Sequence, residues 1–400
     1  MHFYESANSY TATVAEITDD GYIIAGSITF SNDTLSPNIL LIKTDKQGKK
    51  LWEKAIPGGT SSGLKVTSNG YIIIGDSIQY NPDSEKISEL ENDAARLIFL
   101  DMSGSIIQDR SFSRKVSNTR VDFHGDAITF DDQNNLITLG TFKAPGSNEY
   151  AYLSAINPSN MDTIWEKSFN YIERDYVNGK SVQFSNGNIL WGTTVSASVS
   201  NFSRSYLALP VVPSNSTFIN SDYFGENSDQ ALTINDLEPS PLGYGAIGTY
   251  AQPGGNKANM FFIRVDKSGN FVDESVRYFD GAKTDNLGLI QDPSNSDSED
   301  TGNAITATRD GGYVLAGSIE STPDRGNGGK DIWLVKIDAF GNPLWNKIIG
   351  GPTGEIVSSI RETADGGLLI CGTIQDGNNQ TGGLSSIFLI KTDSEGEIRN

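Results

Sequence analysis

Residues 303–351 read NAITATRDGGYVLAGSIESTPDRGNGGKDIWLVKIDAFGNPLWNKIIGG, and their pattern decides the fold. Four short apolar runs follow one another, at 304–308, 313–318, 331–337 and 344–349. Val, Ile, Leu, Tyr and Trp fill them, while Gly, Asp and Asn separate them, the composition of strands bounded by turns. The turns Asp310-Gly311-Gly312 and Asp338-Ala339-Phe340-Gly341-Asn342 place glycine where a tight reversal needs a positive φ. The runs are too short, and too often broken by glycine, for helices. Such a meander, with strands A to D in chain order, leaves both faces uncovered and must stack against copies of itself.

Copies fill the chain. Strand B carries an internal glycine at Gly26, Gly75, Gly140, Gly192, Gly248, Gly317 and Gly372, at intervals of 49 to 69 residues. Strand C recurs at 38–45, 96–101, 150–157, 205–210, 259–266, 331–338 and 386–393, and strand D at 50–56, 105–112, 163–169, 271–279 and 343–349. The fourth unit is degenerate, and residues 216–224 fit a strand D poorly. The seventh unit stops at residues 397–400 before a full strand D, while MHFYESA at the other end stands where a strand D belongs. The expected fold is therefore all-β: one domain over residues 1–400, a seven-bladed β-propeller of four-stranded antiparallel blades. Residues 1–8 form the outer strand of blade seven, and closing the ring in this way removes open edges.

Composition agrees with many short strands: apolar residues make up 37% and glycine counts 42. A net charge of −20 argues against nucleic-acid phosphates and anionic lipid surfaces as partners. The single cysteine, Cys371, lies inside a strand B beside Gly372 and reads as a small packed side chain. No apolar run is long enough to span a bilayer. No signal peptide is visible, so the leader or lipid anchor of an exported protein would lie upstream of this chain.

Several motifs have a structural reading. Asp-x-x-Gly followed by an aromatic residue recurs as Asp45…Gly48…Trp52 and Asp338…Gly341…Trp345, with incomplete versions at Asp266…Gly269 and Asp101…Gly104. Asp binds its own downstream amides and Trp covers the outer edge of the blade. Lys43, Arg264, Lys336 and Lys391 stand two residues before the turn Asp and point to pairing within turns or between blades. Ser84 could cap a short helix in the insertion 79–95. Acidic residues gather at Asp83, Glu85, Glu89, Glu91 and Asp93, and again at Asp285, Asp292, Asp297, Glu299 and Asp300. No cofactor is expected; carboxylates at such density could hold Ca²⁺, with Asp292, Asp297 and Asp300 as the metal candidates, and the plainer reading is a solvated acidic loop. His2 and His124 are the only histidines, which leaves little room for a histidine metal site or a Ser-His-Asp triad. Paired-carboxylate chemistry remains open.

The A–B and C–D turns stay short, whereas the B–C and D–A connections vary. All the variation therefore gathers on one face of the ring, and loops on a rigid scaffold are where binding usually resides. The phrase DGGYVLAGS…KDIWLVKIDAFGNPLWNKIIGG resembles the β-propeller repeats of exported bacterial proteins, frequent among Bacteroidetes lipoproteins and secreted proteins. The resemblance implies export to the periplasm or cell surface, and it carries over no catalytic residues. The expected function is a monomeric, non-enzymatic binding or scaffold domain that meets protein or glycan through the B–C/D–A face. The alternative is a carbohydrate-active hydrolase or lyase with carboxylates at the channel mouth. Converging carboxylates with an aromatic platform there would favour the enzyme.

Overall fold

The computed structural model describes the chain except residues 5–7, 31–32, 80–90, 117–118, 144–148, 171–175, 186, 200–201, 214–219, 225–230, 252–256, 273–275, 282–284, 291–298, 323–324, 376–383 and 399–400. The proposed helix capped by Ser84 lies outside the described residues. The rest is a β-propeller of antiparallel meanders. The first sheet runs Ser9–Thr18, Gly21–Phe30, Asp33–Asp45, Lys50–Ile56, from the channel outward. The second is Gly59–Thr67, Gly70–Gln79, Glu91–Asp101, Ile106–Phe112, and the third Phe123–Phe130, Leu136–Lys143, Glu149–Ile156, Thr163–Asn170. Thr301–Ala307, Tyr313–Thr322, Arg325–Ile337 and Pro343–Ile349 make another four-stranded sheet. Gly354–Glu362, Leu368–Gln375 and Ser385–Lys391 make the last, with His2–Tyr4 as its outer strand.

The expectation of seven separate blades needs correction, because the large sheets number six among the described residues. The segments expected as blades four and five share one nine-stranded sheet. A parallel pairing of Ser205 with Ala231 joins the strand Phe202–Pro213 to Ala231–Ser240. Strand Asn220–Phe224 pairs on Phe202–Pro213 as well, so the joint forms where the outer strand was least legible in the sequence.

The N-terminal strand pairs as His2↔Leu389, Phe3↔Phe388 and Tyr4↔Ile387. It takes the place of a strand D in its side-chain contacts too. The Trp52 ring lies against Gly104 and the Trp345 ring against Gly396, so a Cβ at either glycine would come within 2.7 and 3.1 Å of the indole. His2 occupies the same position against Gly48. All three glycines have φ between 75° and 80°, so the turn glycine serves both the reversal and the docking of the preceding sheet's outer strand.

Hydrophobic clusters lie between sheets. Ile23, Leu41 and Ile56 of the first sheet pack with Leu64, Ile73 and Ile98 of the second, while Tyr4, Cys371 and Leu389 pack with Ile24, Leu40 and Ile42. Each sheet thus covers its neighbour's face, which answers the exposure problem of a lone meander. Burial pushes the Cys371 thiol up to about 12, consistent with packing and not with a nucleophile.

Turn motifs behave as expected from the side chains. Asp45 Oδ1 accepts from the amides of Gln47 and Lys49, and Asp338 Oδ1 accepts from those of Phe340 and Asn342. Lys43 Nζ bonds Thr18 Oγ1 and Asp20, Lys336 Nζ bonds Thr308 Oγ1 and Asp310, and Lys391 Nζ bonds Asp365. These lysines tie strand C to the A–B turn of the same sheet. Arg264 departs from the pattern and lies 5.4 Å from the Phe340 ring.

The candidate site in the central channel

The innermost strands all share one irregularity. Each skips a residue in its pairing with strand B, a β-bulge: Thr13, Ser62, Asp126, Lys180, Asn235, Asn303 and Ser358 are the extra residues. A bulge bends its strand and re-aims a side chain. It also explains the recurring strand B glycine. A Cβ at Gly26 would stand 2.1 Å from Thr11 O, at Gly75 1.9 Å from Thr60 O, and at Gly317 1.7 Å from Thr301 O. Only glycine admits that backbone approach. Gly192 differs: it pairs with Ser181, past the bulge, and its Cβ would meet only side chains, at 3.2 Å.

Six of the bulge residues, Thr13, Ser62, Asp126, Asn235, Asn303 and Ser358, line a cavity of about 650 Å³ at the ring's centre, together with Glu16, Lys65, Gln183, Asp236 and Arg361. Much of their bonding capacity is already engaged. Thr13 Oγ1 donates to Ser61 O at 3.0 Å, and Asn235 Nδ2 to Gly302 O at 2.6 Å. Asn303 Nδ2 donates to Val357 O at 2.9 Å, and Ser358 Oγ to Ala12 O at 2.8 Å. In each case the acceptor is the residue just before the next bulge. One sheet's bulge side chain therefore satisfies a carbonyl beside its neighbour's bulge. The residue after the bulge links sheets too: Ser359 Oγ accepts from Ala15 N at 2.9 Å, and Asp236 Oδ2 from Ile305 N at 3.2 Å.

Three residues beyond the bulge lies the charged part of the wall. Arg361 Nη2 meets Glu16 Oε1 at 2.9 Å, bridging the last and first sheets. Burial works to raise the Glu16 carboxyl, but Arg361 and Lys65 outweigh it and hold the group below its ordinary range. Glu16 in turn raises Arg361, and Glu238 and Asp236 add to the effect. Glu238 faces the opposite balance. Burial pushes it up to about 7 against the pull of Arg361, and Asp236 adds to the rise. Asp236 is raised by burial as well, although Arg361 and the amides of Ile305 and Leu237 oppose it. Both residues are half-buried, and Asp236 lines the cavity. A carboxyl that exchanges its proton near neutrality, beside a fixed guanidinium, can act as an acid or a base. Among the described residues, no aromatic side chain lines this cavity.

The metal candidates do not come together here. Asp292 and Asp297 lie outside the described residues. Asp300 is fully buried, and its Oδ2 accepts from Gly281 N at 2.6 Å. Among the described residues no group of three or more His, Cys, Asp or Glu side chains could hold a metal ion. His124 Nδ1 stands 3.0 Å from Asp76 Oδ2, joining the third sheet to the second. Sequence reasoning missed the channel residues altogether. A signal existed: a polar or charged residue 12 to 14 positions before each strand B glycine.

No protein-family model and no curated protein sequence matches the chain. Solved structures do. A polysaccharide lyase, the PL25 ulvan lyase bound to -[GlcA(1-4)Rha3S]-, is similar at a TM-score of 0.58 and 10% identity, over 98% of this chain and 96% of that one. The β-propeller domain of the Trilobed protease from Pyrococcus furiosus, described as an open velcro topology, gives 0.50 and 8%, over 99% and 97%. Pyrococcus horikoshii acylaminoacyl peptidase gives 0.50 and 8% over 96% of this chain, which spans 51% of the peptidase. At these identities the likeness shows the β-propeller fold alone. No helix among the described residues is long and apolar enough to cross a membrane.

Proposed function

We propose that this chain is a rigid, non-enzymatic β-propeller of the cell envelope that binds protein or glycan through its B–C/D–A loop face. The observation that carries the reading is the channel wall itself. Four of its bulge side chains, Thr13, Asn235, Asn303 and Ser358, are engaged in sheet-to-sheet bonds, so the centre of the ring acts as a frame. The nine-stranded sheet contributes two bulged inner strands to that frame. Export rests on the sequence resemblance and belongs to the same proposal, as does a monomeric state.

One arrangement favours a carbohydrate-active hydrolase or lyase instead: the carboxylates Glu16 and Asp236 meet Arg361 on the wall of the central cavity, and burial raises the neighbouring Glu238 carboxyl against the pull of Arg361. The fold accommodates either role, since a polysaccharide lyase and a protease domain share it. A glycan array and pull-down with the purified chain, run beside a turnover assay on acidic and neutral polysaccharides, separates the two readings. Saturable binding without product formation supports the binding module. Turnover that Glu238→Gln abolishes, with the fold intact, overturns it.

A further inference from the structure

The surface of this chain is strongly acidic, with a net charge of −20, yet one groove on the rim is cationic. It has a volume of about 470 Å³ and lies between the outer strands of the second and third sheets. Arg110, Arg114 and Lys115 line it, with Ser111, Ser113 and Thr163. The Arg114 guanidinium is 4.5 Å from the Phe142 ring and 4.9 Å from the Tyr152 ring, and it donates to Ser168 Oγ at 2.8 Å. Arg110 lies 4.9 Å from the Phe112 ring and donates to Met161 O at 2.8 Å. Neither arginine forms an ion pair among the described residues, and Lys115 is exposed. One carboxylate, Glu166, also lines the groove and accepts from Tyr152 at 2.6 Å.

We infer that this groove is a binding site for an anionic saccharide, one bearing carboxylate or sulfate groups. Aromatic stacking fixes the guanidinium planes before any ligand arrives, so little freedom is lost when an oxyanion takes the remaining N–H donors. Unpaired cations on an otherwise acidic body form a local attractive field for an anion. The rest of the lining selects sugar over acidic peptide. Hydroxyl groups face the groove, Phe123 is 6% and Tyr152 8% exposed, and the half-buried Phe112 ring is taken up by the Arg110 guanidinium. A peptide's apolar side chains would find no pocket. The inference names a ligand class within the binding reading above and rests on that reading.

The test is calorimetric titration of the full chain with oligogalacturonate, a neutral galactose oligomer of equal length, and polyglutamate. Oligogalacturonate is expected to bind, more weakly at higher salt, and the neutral oligomer is not. Arg114→Lys keeps the charge but loses the planar fork, and it is expected to weaken binding about fivefold. Lys115→Glu, at an exposed position that leaves the fold untouched, is expected to weaken it about tenfold. Polyglutamate binding as tightly, with the same loss in both variants, overturns the saccharide class. Oligogalacturonate binding that neither variant alters places the site elsewhere and leaves the binding reading standing. Failure of every anionic saccharide, while the loop face still captures another ligand, sinks the groove alone.

Discussion

Tyr4 gives the sharpest test of ring closure. Its ring is 5% exposed within the cluster shared by the last and first sheets, and its hydroxyl donates to Gly48 O at 2.6 Å. Truncating a buried aromatic to alanine costs about 3–5 kcal/mol, and a carbonyl left without its donor adds about 1 kcal/mol. Unfolding entropy near 2.1 cal/mol/K per residue gives about 0.8 kcal/mol/K for a chain of this size. Tyr4→Ala should therefore lower Tm by about 5–7 °C in scanning calorimetry, and Tyr4→Phe by about 1 °C. Removing residues 1–4 also bares the strand Ser385–Lys391 as an edge, so a larger fall is expected, with self-association visible in size-exclusion chromatography. A truncated chain that melts within about 1 °C of the intact one would refute the closure argument.

Other perturbations discriminate equally well. Gly317→Ala forces a Cβ onto the Thr301 carbonyl and should cost about 1–3 kcal/mol or more, whereas Gly192→Ala should cost under about 1 kcal/mol; equal urea midpoints for the two would contradict the bulge explanation. Arg361→Gln strands the Glu16 charge and should destabilise by about 3–5 kcal/mol, with partial rescue by Glu16→Gln in the same chain; additive losses in the double variant would show that the pair is not coupled. Glu238 is raised in the folded state to about 7, so the native form holds its proton where the unfolded chain has lost it. Its contribution to stability is full below the ordinary glutamate range and lost as pH rises to about 7. Glu238→Gln should thus stabilise the chain at pH 8 by about 1–3 kcal/mol and leave pH 4 unchanged, and identical pH–stability curves would count against the shifted carboxyl.

Much of the fold was legible because it depends on local chemistry repeated many times. The Asp turns and the outer strand at residues 2–4 follow from spacing, while for Lys43, Lys336 and Lys391 spacing marked the positions and left the partner, the A–B turn of the same sheet, open. The joined sheet was not legible, because a single pairing of Ser205 with Ala231 leaves no compositional trace. The channel was hidden for another reason. The bulge residues Thr13, Ser62, Asp126, Lys180, Asn235, Asn303 and Ser358 share polarity but no common side chain, and their role depends on the neighbouring sheet. The glycine that accommodates the bulge was visible, while its cause, a carbonyl on the adjacent strand, was not.

The inter-sheet links run in one sense around the wall: Thr13 to Ser61, Asn235 to Gly302, Asn303 to Val357, Ser358 to Ala12. Those four joints share the same male and female halves, like staves in a barrel. A gene that lost or duplicated a unit among them would still present matching halves at the new seam, so the circumference can change there by whole units and not by a fraction of one.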